Sequence, residues 1–301
     1  MEKWLDLHMH SSYSTDGEII PAALMSACAA AGLKTVALTD HNSVRGVSQA
    51  KAAASRLSLE VISGIEIDCK HEGCELHLLG YGIDEDAGVF ADIEKDVHEQ
   101  ELCMSAELME RVLALGIFFE TDAVEKLAVQ GVVNAEMIAE AALADSRNEK
   151  NDLLAPFRVG GARSDNPFVN FYWDFCSQGK PAYIPMEYIS LRAAIRAIKE
   201  NNGAAILAHP GINIGQNQAF AQSIIEQGID GIEAYSNYHN VETTNFYEQL
   251  CLKNNILATT GSDFHGKAKP SIHLGEIGNP APGKTREALL SIIKNRGGNT
   301  Y

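Results

Sequence analysis

Short apolar runs alternate along the chain with stretches whose apolar residues recur at helical spacing, so that strand and helix periods succeed one another in a β-α rhythm. Trp4-Leu5-Asp6-Leu7 predicts a first short strand. Residues 21–31 predict an alanine-rich helix, with Pro21 at its start and Gly32 where it would stop. Residues 35–38 read as a buried strand and 43–57 as a second helix. Strands at 61–68 and 75–81 have the spacing of a hairpin turning at Glu72-Gly73, which would set His77 opposite Asp68 and diagonal to Glu66 on one face. From about residue 84 to 178 the pattern turns helical, with an amphipathic helix over 99–115 and further helices near 122–129, 134–144 and 167–178. The alternation then resumes: a helix near 190–201, strands over 204–208, 230–235 and 255–260, and a helix over 241–254 between the last two. The chain thus divides into an α/β part over 1–98, a helical insertion or cap over 99–180 and a second α/β part over 181–301.

The polar groups at the strand ends are chemically uniform. His8, His10 and Asp16 come after the first strand, Asp40 and His41 after the second, while Glu66 and His77 lie on the hairpin. His209 comes after the strand at 204–208, and Asp263 and His265 after the last. In α/β barrels, side chains from distant positions converge at the C-terminal ends of the strands. Carboxylates and imidazoles buried together are costly unless paired or bound to a cation, so one shared metal centre accounts for all of them. His8 and His10, two apart at a strand end, suit a borderline divalent ion.

Composition narrows the partners. The 301 residues are 46% hydrophobic and 21% charged, enough for one large domain with an insertion. The formal net charge of −16 opposes binding of long DNA or RNA, whose affinity rests on Lys and Arg, but bound cations can make a pocket locally positive for a small phosphorylated substrate. No apolar run approaches the roughly 20 residues of a membrane span, and Met1-Glu2-Lys3-Trp4 does not resemble an export signal. Six scattered cysteines suit a reducing compartment, so a cytoplasmic location is expected. Cys69, His71, Cys74 and His77 form a compact set, yet their spacing straddles the hairpin turn and argues against a four-ligand structural zinc.

The ordered series His8-x-His10, Asp16-Gly17, Thr39-Asp40-His41, Gly64-Ile65-Glu66, His77, His209-Pro210 and Ser262-Asp263-Phe264-His265 resembles the PHP family, named for polymerase and histidinol phosphatase domains. The resemblance covers roughly residues 4–83 and 184–277. It implies a distorted (β/α)7 barrel with a mostly helical insertion, holding two or three divalent ions such as Mn, Fe or Zn. It further implies that His8, His10, Glu66 and Asp263 bind a first metal and that Glu66 is shared with a second, which also takes His77 and His209. Asp16, His41 and His265 would hold a third. Asp16 lies six residues after His10, where many members have five.

The insertion and the adjoining Gly179-Lys180-Pro181 look like the stand-alone family members that act on nucleotides. That subgroup often carries an Arg where this chain has Asn134-Ala135-Glu136, and Arg158, Arg163 and Lys180 are the expected substitutes for binding phosphate. His239, beyond the strand at 230–235, is the expected general acid and substrate contact, and Asp263 is counted with it as catalytic. The implied function is metal-dependent phosphoesterase, attacking a nucleoside monophosphate such as AMP through a metal-bridging hydroxide and releasing inorganic phosphate. Hydrolysis of a cyclic phosphodiester or sugar phosphate is the alternative within that class. A metal-dependent amidohydrolase or a non-catalytic metal-binding module are the alternatives outside it.

Overall fold

The computed structural model describes residues 2–298. Its sheet runs in the order β1 (Leu5–Asp6), β2 (Thr35–Leu38), β3 (Glu60–His71), β4 (Cys74–Tyr81), β6 (Ala204–Leu207), β7 (Gly231–Ser236), β8 (Leu257–Gly261), with the two-residue β5 (Ile189–Ser190) paired to β3. All neighbours on this path are parallel except that β4 runs antiparallel to both β3 and β6. The two ends meet: Leu7 N–H donates to Thr260 O, Asp263 N–H to His8 O and His10 N–H to Phe264 O. The sheet therefore closes, nearly completely, into the expected (β/α)7-type barrel with a mostly helical insertion.

The hairpin register matches the spacing argument, with Asp68 opposite His77. Its turn is possible because Glu72 and Gly73 both adopt positive φ, 49° and 80°, the conformation that suits a tight two-residue link. β3 is longer than the sequence pattern indicates and extends to His71. This places Cys69 on the buried apolar face of the hairpin and His77 on the opposite face, so the possible zinc set does not converge.

Helices α1 (Pro21–Ala30) and α2 (Val47–Ala54) cover β2 and the start of β3 with Leu24, Met25, Cys28 and Ala50. α2 is shorter than expected because Asn42 at φ 55° and the turn after it occupy the start of the predicted helix. α3 (Gly88–Ala114) begins eleven residues before the predicted one. Phe90 and Ile93 near its start pack on the barrel, whereas Val112 near its end belongs to a separate apolar cluster. That cluster is built with Ile117, Phe119 and Val124 around α4 (Thr121–Glu125), Ile138 and Ala142 of α5 (Ala135–Ala144), and Phe171 of α6 (Pro167–Phe171). Asn134 caps α5 by accepting from Met137 N–H. A π-type turn over Tyr172–Cys176 follows α6.

On the remaining side, α7 (Leu191–Glu200), α8 (Pro210–Asn213), α9 (Gln218–Glu226) and α10 (Val241–Asn254) follow the strands in order. α11 (Pro282–Asn295), not foreseen from the apolar pattern, closes the barrel end opposite the strand C-termini with Leu289 and Ile293. Among the described residues, no helix is long and apolar enough to cross a membrane.

Candidate metal centre and active site

Glu66 is the point on which the C-terminal edge of the barrel converges. It is fully buried, and five imidazoles approach its two oxygens. Oε2 lies 3.1 Å from His8 Nε2, 3.1 Å from His10 Nε2 and 3.3 Å from His41 Nδ1, while Oε1 lies 2.9 Å from His77 Nδ1 and 3.1 Å from His209 Nε2. Asp263 Oδ1 completes one side at 3.3 Å from His8 Nε2 and 3.2 Å from His10 Nε2. On the other side Asp16 Oδ2 is 3.1 Å from His265 Nε2 and 3.8 Å from His41 Nε2.

Local backbone geometry makes this crowding possible. His209 and Asp263 occupy positive φ, 21° and 56°, which non-glycine residues rarely adopt and which here aim side chains just beyond β6 and β8 into the barrel mouth. Gly261 is required by close approach, because a Cβ there would sit 2.2 Å from both Glu233 Oε1 and His8 Cβ.

Three imidazoles have their tautomer set by partners behind them. Glu233 Oε1 accepts from His8 Nδ1 at 3.0 Å, and Asp263 O accepts from His265 Nδ1 at 2.9 Å. Ser14 Oγ donates to Asp40, so it accepts from His10 Nδ1 at 3.0 Å and from His41 N–H at 2.9 Å. In its neutral form each of these rings is left with a bare Nε2 turned into the cluster. His8 Nε2 and His10 Nε2 then face each other at 3.1 Å. Asp16 Oδ1, Glu66 Oε2, Asp263 Oδ1 and His265 Nε2 are buried without a hydrogen-bond partner.

A lone pair aimed at a carboxylate or at another lone pair is repulsive, and burial in low dielectric magnifies the repulsion. A divalent cation between such atoms removes it, so the donor set fits metal. Ligand atoms within 4.8 Å of one another form three groups: His8, His10, Glu66 and Asp263; His41, Glu66 and His77; and His10, Asp16, His41 and His265.

Without a cation, protons on two imidazoles take its part: burial opposes charge on His8 and His77, but Glu66 first, with Glu233 at His8 and Asp68 at His77, outweighs it and raises both, His77 to about 9. Burial alone would raise the Glu66 carboxyl, but the imidazoles of His8, His41 and His77 outweigh it and hold the group well below the ordinary value. Burial likewise opposes ionisation of Asp263, and Lys269, His265 and His8 overcome it. His10 is pushed down to about 3, chiefly by burial and then by His265 and His41, so its ring is neutral, as a ligand must be.

The nine histidines and carboxylates expected at the site are therefore all gathered at one edge, together with side chains whose part was not foreseen. Asp68 Oδ1 stands 3.3 Å from His77 Nε2. Lys269 Nζ and Tyr238 OH both donate at 2.6 Å to Asp263 Oδ2, leaving Oδ1 turned to the imidazoles. Buried Glu233, 225 positions after His8 along the chain, had no motif to signal it.

Four expectations need correction. Both nitrogens of His239 are occupied: Nδ1 donates to Ala234 O at 2.9 Å and Nε2 accepts from Gly211 N–H at 2.9 Å. Burial lowers its pKa, in keeping with the neutral ring. It is braced against the backbone rather than poised as an acid, and its neighbour Tyr238 reaches the site. Arg158 donates to the carbonyls of Leu143 and Asn148, Arg163 forks onto Asp174 at 2.9 and 3.1 Å, and Lys180 is exposed at the exit of the insertion. None of the three lines the cavity at the barrel mouth.

That cavity, about 210 Å³, runs from Asp16, His41 and His77 to the insertion, where Tyr172, Trp173 and Tyr188 face it. Lys269 is its cationic lining residue. Residues 6–151 match the family model described as the PHP domain. The chain carries a PHP domain. The matched PHP segment includes His8 through His77 and continues into the insertion, while His209, Asp263 and His265 come from the part beyond it.

Three curated relatives align over most of their length. A phosphoribosyl 1,2-cyclic phosphate 1,2-diphosphodiesterase from Eggerthella lenta is 26% identical, over 90% of this chain and 97% of the relative. A 3′,5′-nucleoside bisphosphate phosphatase from Chromobacterium violaceum is 27% identical, over 92% and 93%. A 5′-3′ exoribonuclease from Haemophilus influenzae is 28% identical, over 88% and 91%. A solved structure assigned as a metal-dependent phosphoesterase from Bifidobacterium adolescentis superposes with a TM-score of 0.76 at 25% identity, covering 96% of each chain.

Proposed function

We propose that this PHP protein hydrolyses a small nucleotide phosphoester, with a nucleoside monophosphate such as AMP as the simplest substrate and inorganic phosphate as product. At the level of class it is a metal-dependent phosphoesterase, a hydrolase, in line with the names of the relatives above. The observation that carries the reading is the fully buried Glu66 carboxylate ringed by five imidazole nitrogens, with Glu66 Oε2, Asp16 Oδ1, Asp263 Oδ1 and His265 Nε2 left without a hydrogen-bond partner, as metal ligands would be.

His8, His10, Glu66 and Asp263 would hold one ion, Glu66 with His77 and His209 a second, and Asp16, His41 and His265 a third. Mn, Fe or Zn bound there supplies water acidic enough to ionise near neutral pH and draws charge from the phosphoryl oxygens. The chain does the rest. Glu233 and Ser14 keep two imidazoles turned inward, and Asp263, held through its outer oxygen, keeps its inner one there. The Lys269 ammonium, facing the cavity, offsets negative charge on the phosphoryl group. Tyr172, Trp173 and Tyr188 offer flat apolar faces to a base and keep water from it.

The relatives' substrates share a phosphoester on ribose, in a cyclic phosphate, a bisphosphate or an RNA strand. The charge of −16 disfavours a long duplex laid across the surface, and leaves room for a single strand end entering the cavity. Six free thiols and no disulfide among the described residues support a reducing, cytoplasmic setting. The test is phosphate release by metal-reconstituted protein from nucleoside monophosphates, sugar phosphates and cyclic phosphodiesters. Nucleotides are expected to give the highest kcat/KM, and turnover of amide substrates with no phosphate release would overturn the reading.

A further inference from the structure

We propose that a second cavity beside the metal edge binds a second phosphate of the substrate, an inference that rests on the phosphoesterase reading. This cavity, about 260 Å³, lies between the segments after β1 and β2 and the first half of α3. It shares Thr15, His41 and Glu101 with the main cavity, so the two open side by side at the imidazole cluster.

Their linings differ in charge. In the main cavity Asp68, Glu75, Glu101 and Glu136 accompany the single cation Lys269, a poor setting for a second phosphate. In the second, Arg45, Lys95 and His98 stand with Glu94 and Glu101. Lys95 and His98 are one turn apart on α3 and share a face. Arg45 follows His41 by four residues, which ties its position to a metal-edge imidazole.

The Arg45 guanidinium is also prepared for a ligand. It lies over the Tyr13 ring, 5.0 Å from the centroid, and Nε pairs with Glu94 at 2.8 Å. Its two Nη groups have no protein partner among the described residues. Among the described residues Lys95 reaches only Glu99, at 3.8 Å in an exposed pair that contributes little. A planar fork held by stacking and one ion pair, with its outer donors open, suits a phosphate dianion. A nucleotide with its reacting phosphate at the cations and its base along Tyr172 and Trp173 would have the ribose at the junction, and its next phosphate in the second cavity. That phosphate comes either from a nucleoside 3′,5′-bisphosphate or from the next link of a strand.

The experiment compares Arg45→Ala and Lys95→Ala with wild type on AMP, adenosine 3′,5′-bisphosphate and the 5′-phosphorylated dinucleotide pApA, using Mn-loaded protein. Dissociation constants for the first two are measured by calorimetry on metal-free protein, so that a result exists even if turnover is absent. Arg45→Ala is expected to lower the preference for bisphosphate over AMP by about 10- to 100-fold in kcat/KM and in Kd. Lys95→Ala should lower it by a few-fold. Loss on the bisphosphate alone assigns the cavity to a terminal phosphate, and loss on pApA as well assigns it to any phosphate 3′ of the reacting one. A preference unchanged in both variants overturns the proposal. Wild type that binds both ligands but releases no phosphate overturns the phosphoesterase reading instead.

Discussion

The barrel edge and the insertion handle charge in opposite ways. In the insertion the arginines between 140 and 170 are engaged by their own neighbourhood: Arg147 by Asp145 and Glu120, Arg163 by Asp174, and Arg158 by two carbonyls, its Nε alone left without a partner. At the barrel edge, buried oxygens and nitrogens of Asp16, Glu66, Asp263 and His265 crowd together with no partner. Burying an unpaired polar atom costs more than a typical hydrogen bond returns, and the carboxylate oxygens buried without a partner among the described residues, those of Asp16, Glu66, Asp68 and Asp263, all lie at this edge, where a cation would bind them. Carboxylates paired on both oxygens mark scaffold, and carboxylates with one oxygen left buried and unpaired mark the site.

The sharpest way to break this contrast is at its centre. Glu66→Ala is expected to lower kcat/KM by about 10³-fold or more, and elemental analysis should show more than one equivalent of metal lost per chain. A variant that keeps full metal content would mean that Glu66 is not shared between ions.

Next in size is Lys269→Met. With Tyr238 left as the sole donor to Asp263 Oδ2, the inner oxygen loses its fixed direction. The expected loss is about 10- to 100-fold in kcat/KM together with weaker metal affinity, read by titration with Mn. Loss of activity at unchanged metal affinity would confine Lys269 to contact with substrate.

The opposite end of the barrel carries a carboxylate that is fully paired. Asp230 accepts from Arg296 at 2.7 Å through both oxygens, from Lys199 at 2.9 Å and from Ala205 N–H at 2.8 Å. Burial would raise its pKa, but these donors hold it below the ordinary value. A depressed folded-state pKa gives stability that is complete above the unfolded value near 4 and is lost as pH falls through the folded one. Asp230→Asn is expected to cost about 2–3 kcal/mol near neutral pH and to flatten the stability profile below about pH 4. Its kcat/KM should stay within about twofold of wild type. Denaturant melts across pH, with parallel assays, decide it; a large loss of activity in a folded variant would show that the two ends are coupled.

The smallest effect is expected from Arg163→Ala. Its pair with Asp174 is partly exposed, so stability should change by less than about 1 kcal/mol and kcat/KM by less than about twofold. A tenfold rise in KM for AMP would return Arg163 to the substrate and blur the contrast.

How much of this was legible depended on how local the cause is. The hairpin was readable to the residue, since side-chain alternation and a two-residue turn leave one register, and Asp68 duly faces His77. Tyr238 and His239 show the limit. Adjacent in sequence, they separate because Gly211 N–H and Ala234 O occupy the imidazole, the expected acid, while the phenol reaches Asp263. The cations were misassigned for the same reason. Arg158, Arg163 and Lys180 looked available because nothing nearby in sequence shows Asp174 or the carbonyls that engage two of them, and Lys269 carried no motif.

The sequence by itself determined the β-α rhythm, the interruption by a helical segment and the placing of His, Asp and Glu after successive strands. These features come from periodicity and strand polarity, which act over a few residues. Only the tertiary structure decided that the barrel closes between β1 and β8, and that Glu233 stands behind His8 across 225 positions. It alone decided, too, which cations face the cavity. Those outcomes depend on competition among distant partners for each buried hydrogen bond, and no local pattern encodes which partner wins.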